Sequence, residues 1–280
     1  MKDFEKRRDL LVCVDSDGCA INSMEYRHRY CFGPLLVRVW SLERWESEVL
    51  DLWNRINLYS EKRGVNRFLG LAIALKEINE KIQPVDGVGH LLCFVERSHE
   101  LSRDSLLREI GENPDVEIFK KALFWSDEVN RLSDNGVGIA PFEGVAEALS
   151  LAKRVADVAV VSGAAPHTLK REWQEGNISG YADIFLSQNS GSKAYCLSRL
   201  LLKGYKKDRV LMCGDAIGDL AAAEENGVYF FPILAGRETE SWSHFDEALE
   251  LFKTGQYEEY GQKLKEKFLQ NLKGEDNGRS

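Results

Sequence analysis

The sequence predicts an α/β protein: a Rossmann-like parallel sheet core flanked by helices, with an all-helical cap domain inserted after the first strand. Three observations carry this. The run Leu10-Leu11-Val12-Cys13-Val14 is apolar throughout, as in a strand buried on both faces, and it stops at Asp15-Ser16-Asp17-Gly18. Four further short apolar runs follow in the second half of the chain, each separated from the next by a helical pattern, as parallel strands joined by crossover helices require. Between these two regions the sequence carries helical periodicity alone.

The first strand ends in an awkward place for acids. Side chains at i and i+2 of an extended segment point the same way, so Asp15 and Asp17 are expected side by side, with their repulsion calling for a cation. Read alone, Asp and Gly are also ordinary turn residues, and the rest of the chain has to decide.

Residues 23–135 are expected to form the cap. Trp45, Val49, Leu52, Trp53 and Ile56 fall on one helical face, and Phe68, Leu71, Ala72, Leu75 and Ile78 on another. Stretches 101–110 and 114–125 supply further helices. These aromatic stripes read as core rather than cofactor contacts. The glycine-rich segments Asp86-Gly87-Val88-Gly89 and Asp134-Asn135-Gly136-Val137-Gly138 do not sit between a strand and a helix as a nucleotide fingerprint requires, so they read as turns and hinges. Gly136 and Gly138 are expected to form one strand of the cap hinge and Cys19 to Ser23 the other, with cap closure as a gate.

The core is assigned to residues 1–22 and 136–280. A helix runs to about Val155, and a second strand over 158–161 ends in Ser162-Gly163. A helix over 166–174 precedes a third strand over 181–187, then the turn Asn189-Ser190-Gly191-Ser192-Lys193 opens a helix through Leu202. A fourth strand over 209–213 ends in Gly214-Asp215, followed by a helix over 220–226 and a fifth strand over 228–233. Crossovers between such strands are right-handed. The polar tail from Lys273 onward reads as frayed.

Composition bounds the function. The chain has 280 residues, 44% of them hydrophobic, which is ample for a core, and its formal net charge of -8 argues against general nucleic-acid affinity. Six cysteines are scattered without CxxC pairs, as expected for reduced thiols in a cytoplasm. The charged start Met1 to Arg8 lacks the apolar region of a secretion signal, and no apolar run is long enough for a bilayer, so a cytoplasmic protein without a membrane partner is expected. Monomer and homodimer both fit.

In an open parallel sheet, ligands bind outside the carboxyl ends of the strands. Each strand ends there in residues suited to phosphate: Asp15 and Asp17, then Ser162 with the Gly163 amide, then Lys193 just past the third strand, then Asp215 and Asp219. On these residues the chain resembles the haloacid dehalogenase-like hydrolase superfamily. Asp15-Ser16-Asp17-Gly18 is similar to its DxDG motif, Val161-Ser162-Gly163 to the second motif, Lys193 to the third, and Gly214-Asp215-Ala216-Ile217-Gly218-Asp219 to the GDxxxD fourth. The insert resembles that superfamily's C1-type helical cap.

The resemblance and the chemistry imply the same site. A phosphate dianion meets acids only where a metal neutralises both, and Mg2+ favours such oxygen donors. The expected metal residues are Asp15, Asp17 through its backbone carbonyl, Asp215 and Asp219. Asp15 is the expected nucleophile, giving an aspartyl phosphate, and Asp17 the general acid and base. Ser162, Gly163 and Lys193 are expected to hold the phosphoryl oxygens. A second acid after the nucleophile favours cleavage of a P–O bond over dehalogenation. The function expected is a Mg2+-dependent phosphatase acting on a small phosphorylated metabolite, for instance a sugar phosphate. A phosphomutase using the same acids and a non-catalytic phosphometabolite-binding protein are the alternatives.

Outside the motifs, Arg27, His28 and Arg29 follow the first acids closely. Lys62-Arg63-Gly64-Val65-Asn66-Arg67 reads either as a solvated helix end or as a loop whose Arg63 and Arg67 recognise the non-reacting part of an anionic substrate. His167 reads as solvent-facing, and His90 and His99 are too isolated for a metal site.

Overall fold

The computed structural model describes residues 4–133 and 139–274, so the hinge expected at Gly136 and Gly138 and the end of the tail lie outside the described residues. The chain divides into two compact units, Met1–Met24 with Gly138–Ser280, and Glu25–Val137. Each is built around its own apolar core.

The first unit holds a five-stranded parallel sheet in the order β3-β2-β1-β4-β5, with β1 Leu10–Val14, β2 Ala156–Val161, β3 Ile184–Leu186, β4 Val210–Gly214 and β5 Tyr229–Pro232. Strand β1 is central and all five of its residues are buried. Alternation divides them: Leu10, Val12 and Val14 join the core cluster on one face, and Leu11 and Cys13 are left for the other. That alternation is why an unbroken apolar run is needed.

Chain order interleaves these strands with helices. The second unit comes first, with α1 Ser23–Arg27, α2 Gly33–Val39, α3 Glu46–Leu58, α4 Arg67–Lys81, α5 Val88–Arg97, α6 Arg103–Glu112 and α7 Glu117–Ser133. The sheet unit then adds α8 Val145–Val155, α9 Pro166–Glu175, α10 Lys193–Leu201, α11 Ile217–Asn226, α12 Glu238–Ser243, α13 Phe245–Thr254 and α14 Tyr257–Lys273. Among the described residues, no helix is long and apolar enough to cross a membrane.

Both apolar stripes of the helical unit are buried, apart from Trp45, which stands in a short turn before α3 and is half-exposed. Each fully buried Leu, Ile or Phe contributes about 1.5–3 kcal/mol over its exposed state. Trp53 and Trp125 meet edge to face with ring centres 5.8 Å apart, and the indole N–H of Trp125 donates to the Phe32 carbonyl at 3.1 Å. A π-helical turn, His28–Phe32, carries that carbonyl.

Four elements differ from expectation. Strand β3 is confined to Ile184–Leu186 because Ser179–Tyr181 forms a tight helical turn, closed by the Ala182 amide on the Ser179 carbonyl at 3.2 Å. The segment Asp86-Gly87-Val88-Gly89 is a turn at Gly87, which takes φ +77°, but Val88 and Gly89 already belong to α5. Helix α11 starts at Ile217, ahead of Leu220, because the Asp219 side chain reaches back to the Ala216 amide at 3.1 Å. Residues 238–273 form three helices with no counterpart in the sequence reading, and Trp242, Phe245, Leu249 and Phe252 bury their apolar face.

Candidate active site at the carboxyl edge of the sheet

The parallel register assembles the site. Val14 lies opposite Val160 of β2 and Cys213 of β4, so Asp15, one step beyond β1, comes level with Val161 and Gly214, the last residues of β2 and β4. The Asp15 amide donates to the Cys213 carbonyl at 3.0 Å and holds Asp15 beside the end of β4. Asp215 and Ser162 are the next residues out.

Beyond Asp15 the chain turns at once. The Ser16 carbonyl accepts the amides of Ala20 and Ile21 at 3.0 and 2.8 Å, and Gly18 takes φ +82°, a conformation glycine adopts without a side-chain penalty. This corrects the expectation that Asp15 and Asp17 share one face of an extended segment: the strand ends at Val14, and Asp17 lies within the turn. The Asp17 carboxylate accepts the Ser23 hydroxyl and is half-exposed.

Asp15, Asp215 and Asp219 each present a carboxylate oxygen within 4.8 Å of the others, and they are 4%, 0% and 0% exposed. The Asp17 carboxylate is not in that group. Gly214 makes room for the cluster, since a Cβ there would stand 2.3 Å from the Asp219 Cβ. Lys193, the first residue of α10, places its ammonium 3.0 Å from Asp15 Oδ1 and 2.5 Å from Asp219 Oδ1. The Asn226 side chain donates to the Ala194 carbonyl at 3.0 Å, tying the start of α10 to α11.

Electrostatics follow from this geometry. Burial pushes the Asp15 carboxyl well above its ordinary range, with Asp219 and Asp215 adding to it and Lys193 opposing. Burial disfavours the charge on Lys193, but Asp15 and Asp219 outweigh it and raise its pKa. Three carboxylates against one ammonium leave a formal charge of 1 − 3 = −2 in a buried site. A divalent cation balances that charge, and hard carboxylate oxygens are the donors Mg2+ takes. The residues therefore fit such an ion.

Ser162 is 4% exposed, and its Oγ accepts the Ala164 amide at 3.1 Å, leaving the hydroxyl proton to donate. Gly163 is exposed beside it, with nothing within 4 Å of where a Cβ would stand. His167 is exposed, as are His90 and His99.

Arg63 and Arg67 belong to the helical unit, and the structure revises the reading of Arg63. It is 2% exposed and donates to the Leu58 carbonyl at 2.9 Å, so its guanidinium closes the turn after α3 instead of standing in a reaching loop. Arg67 donates to the Asn130 side chain at 2.7 Å and lies over the Phe32 ring. Arg29 donates to the Tyr59 hydroxyl at 2.7 Å.

Three contributors escaped the sequence reading. The indole of Trp173 donates to the Ser16 hydroxyl at 2.9 Å, that of Trp242 to the Cys19 carbonyl at 2.9 Å, and the Ser23 hydroxyl holds Asp17. Trp173 shares the buried stripe of α9 with Leu169, so periodicity marks it as core and gives no hint of its bond.

No family model and no curated protein matches the sequence. Solved structures do. A haloacid dehalogenase-like family hydrolase from Xanthomonas campestris superposes with a TM-score of 0.51 at 14% identity, over 89% of this chain and 94% of that one. A haloacid dehalogenase-like family protein from Streptococcus pneumoniae gives 0.47 at 11% identity, over 87% and 98%. A HAD-superfamily hydrolase from Geobacter sulfurreducens gives 0.39 at 15%, over 80% and 87%. With its five-stranded parallel sheet and flanking helices, the chain has the fold of the haloacid dehalogenase-like hydrolases.

Proposed function

We propose that this protein is a Mg2+-dependent phosphatase of the haloacid dehalogenase-like superfamily, acting on a small phosphorylated metabolite and carrying a C1-type helical cap. The observation that carries it is the buried cluster of Asp15, Asp215 and Asp219 around Lys193 at the carboxyl edge of a parallel sheet. A phosphate ester is the anionic substrate such a centre suits once a cation is bound.

Asp15, Asp215, Asp219 and the Asp17 carbonyl would hold the ion. When bound, Mg2+ offsets the charge of the acids and of the phosphate and draws electron density from the phosphoryl group. The chain's own residues do the rest. Lys193 opposes the effect of burial on Asp15, and with the cation in place one carboxylate oxygen would be available to attack phosphorus in line. The phosphorus–oxygen bond to the leaving group breaks as the Asp15–phosphorus bond forms, and Asp17 gives that oxygen its proton. Asp17 then takes a proton from water, which attacks the aspartyl phosphate and releases inorganic phosphate. The Ser162 hydroxyl, the Gly163 amide and Lys193 stabilise the equatorial oxygens as charge spreads over them. The Ser23 hydroxyl fixes the orientation of Asp17.

The test is turnover of p-nitrophenyl phosphate with and without Mg2+. The expected result is metal-dependent release of phosphate, abolished in Asp15→Asn and slowed about 10²–10⁴-fold in Asp17→Asn. Full activity in Asp15→Asn would refute the mechanism. Product analysis with sugar phosphates separates hydrolysis from the mutase alternative, in which the phosphoryl group returns to the sugar.

A further inference from the structure

We propose that a cavity of about 330 Å3 in the sheet unit, between the end of β5, α12 and α14, binds a small monocarboxylate with an apolar body. Phe231 and Pro232 of β5 and Leu264 of α14 give it an apolar floor, and Arg237, Glu240, His244 and Lys267 a charged rim. Ligand cavities have this construction, mostly apolar with a few polar groups that fix orientation, and start near this volume, which suits a ring-sized molecule.

Charge selects the ligand. The guanidinium of Arg237 bonds both oxygens of Glu240, at 2.7 and 2.5 Å, and Lys267 and His244 line the same cavity. Hydrogen bonding from Arg237 holds the Glu240 carboxyl below its usual range, and the positive fields of Arg237, His244 and Lys267 add to this, so the cations crowd one acid. Arg237 and Lys267 against Glu240 leave an excess of one positive charge before His244 is counted, in a chain whose net charge is -8. One negative charge balances that excess, whereas a phosphate dianion overcompensates it. The Arg237–Glu240 pair is partly exposed, with side chains 38% and 49% accessible, so it offers little resistance to sharing Arg237 with an incoming carboxylate.

The cavity wall also supports the acid-bearing loop. Helix α12 turns Glu240 to the cavity, while its Trp242 donates to the Cys19 carbonyl in the turn after Asp15. Ser241 accepts the Leu234 amide at 2.9 Å, and Ile233 donates to the Gly214 carbonyl at 2.8 Å, beside Asp215. A ligand that seats against α12 is therefore felt at the Trp242 bond.

The experiment is calorimetric titration of the full chain with acetate, benzoate and phenylacetate, in excess Mg2+ and inorganic phosphate so that the Asp15 centre is occupied. Because it reads binding and not turnover, its outcome is independent of the phosphatase reading. Saturable binding by an aromatic acid is expected, weakened at least about tenfold in Lys267→Glu and in the neutral analogue phenylacetamide, as for loss of one charge-assisted contact. Lys267 is exposed, so an unchanged melting temperature of that variant establishes that it folds. The Trp242 indole N–H resonance, identified by its loss in Trp242→Phe, is expected to shift on titration. No saturable binding by any of the three acids, or equal affinity in Lys267→Glu, overturns the proposal.

Discussion

The indole N–H of Trp173 donates to the Ser16 hydroxyl at 2.9 Å, fastening α9 to the residue that stands between Asp15 and Asp17. Both partners are fully buried. Trp173→Phe keeps an aromatic ring in place but leaves the Ser16 hydroxyl without its donor, at an expected cost of about 1–3 kcal/mol in denaturant unfolding. If the bond orients the Asp15 turn, kcat with p-nitrophenyl phosphate falls while KM holds. A purely structural role predicts the stability loss with kcat intact.

Gly214 has a side-chain-free face because Asp219 occupies the space. In Gly214→Ala the new methyl would meet the Asp219 Cβ, Cγ and Oδ2 at 2.3, 2.4 and 2.6 Å, so Asp219 has to move. Overpacking of this kind costs about 1–3 kcal/mol. The expected outcome is a lower melting temperature together with weaker Mg2+ binding, measured by calorimetry on the folded variant.

The buried acids make the metal-free protein sensitive to pH. Burial raises the Asp15 pKa in the folded state, so its contribution to stability is full below the ordinary value of 3.8 and is lost as pH rises through the raised value. Lys193, raised from 10.5 by Asp15 and Asp219 against the opposing effect of burial, contributes fully below that value and loses its contribution only in more alkaline solution. The metal-free melting temperature is therefore expected to fall as pH rises above the ordinary carboxylate range, from this site's contribution. Adding Mg2+ should raise it, and more at the higher pH, where the carboxylates are ionised; melting curves across the pH series with and without Mg2+ check this.

Arg63 is a packing residue of the helical unit. Arg63→Met is expected to destabilise the protein by about 1–3 kcal/mol, since the Leu58 carbonyl loses its donor, with KM for a generic phosphate ester unchanged. Denaturant unfolding and steady-state kinetics on the same variant separate this from substrate recognition, which would raise KM.

The strands and their order of use were legible because a parallel strand buried on both faces has to be apolar at every position. The residues that break those runs, Asp15, Ser162 and Asp215, announce themselves by chemistry out of keeping with what precedes them. Lys193 could be read through the resemblance, but its position 3.0 Å from Asp15 depends on α10 crossing back over the sheet. The weakest readings were of the shortest-range kind. The i, i+2 argument for Asp15 and Asp17 failed because it needs the chain extended through Asp17, whereas β1 ends at Val14 and the Ser16 carbonyl accepts two amides of the turn that follows. Residues 238–273 went unassigned although α13 shows a regular apolar stripe.

Local pattern thus dictated which segments are strands, that the acids lie at their carboxyl ends, and that a helical insert separates the first two. It did so because burial and hydrogen bonding act on neighbouring residues with fixed periods of 2 and 3.6. Folding in three dimensions decided the rest: that Trp242 reaches a carbonyl 223 positions away, that Asp215 and Asp219 close on Asp15 while Asp17 turns to Ser23, and that Arg63 is buried. Those contacts depend on which faces of distant elements meet, and no periodicity within one element records its partner.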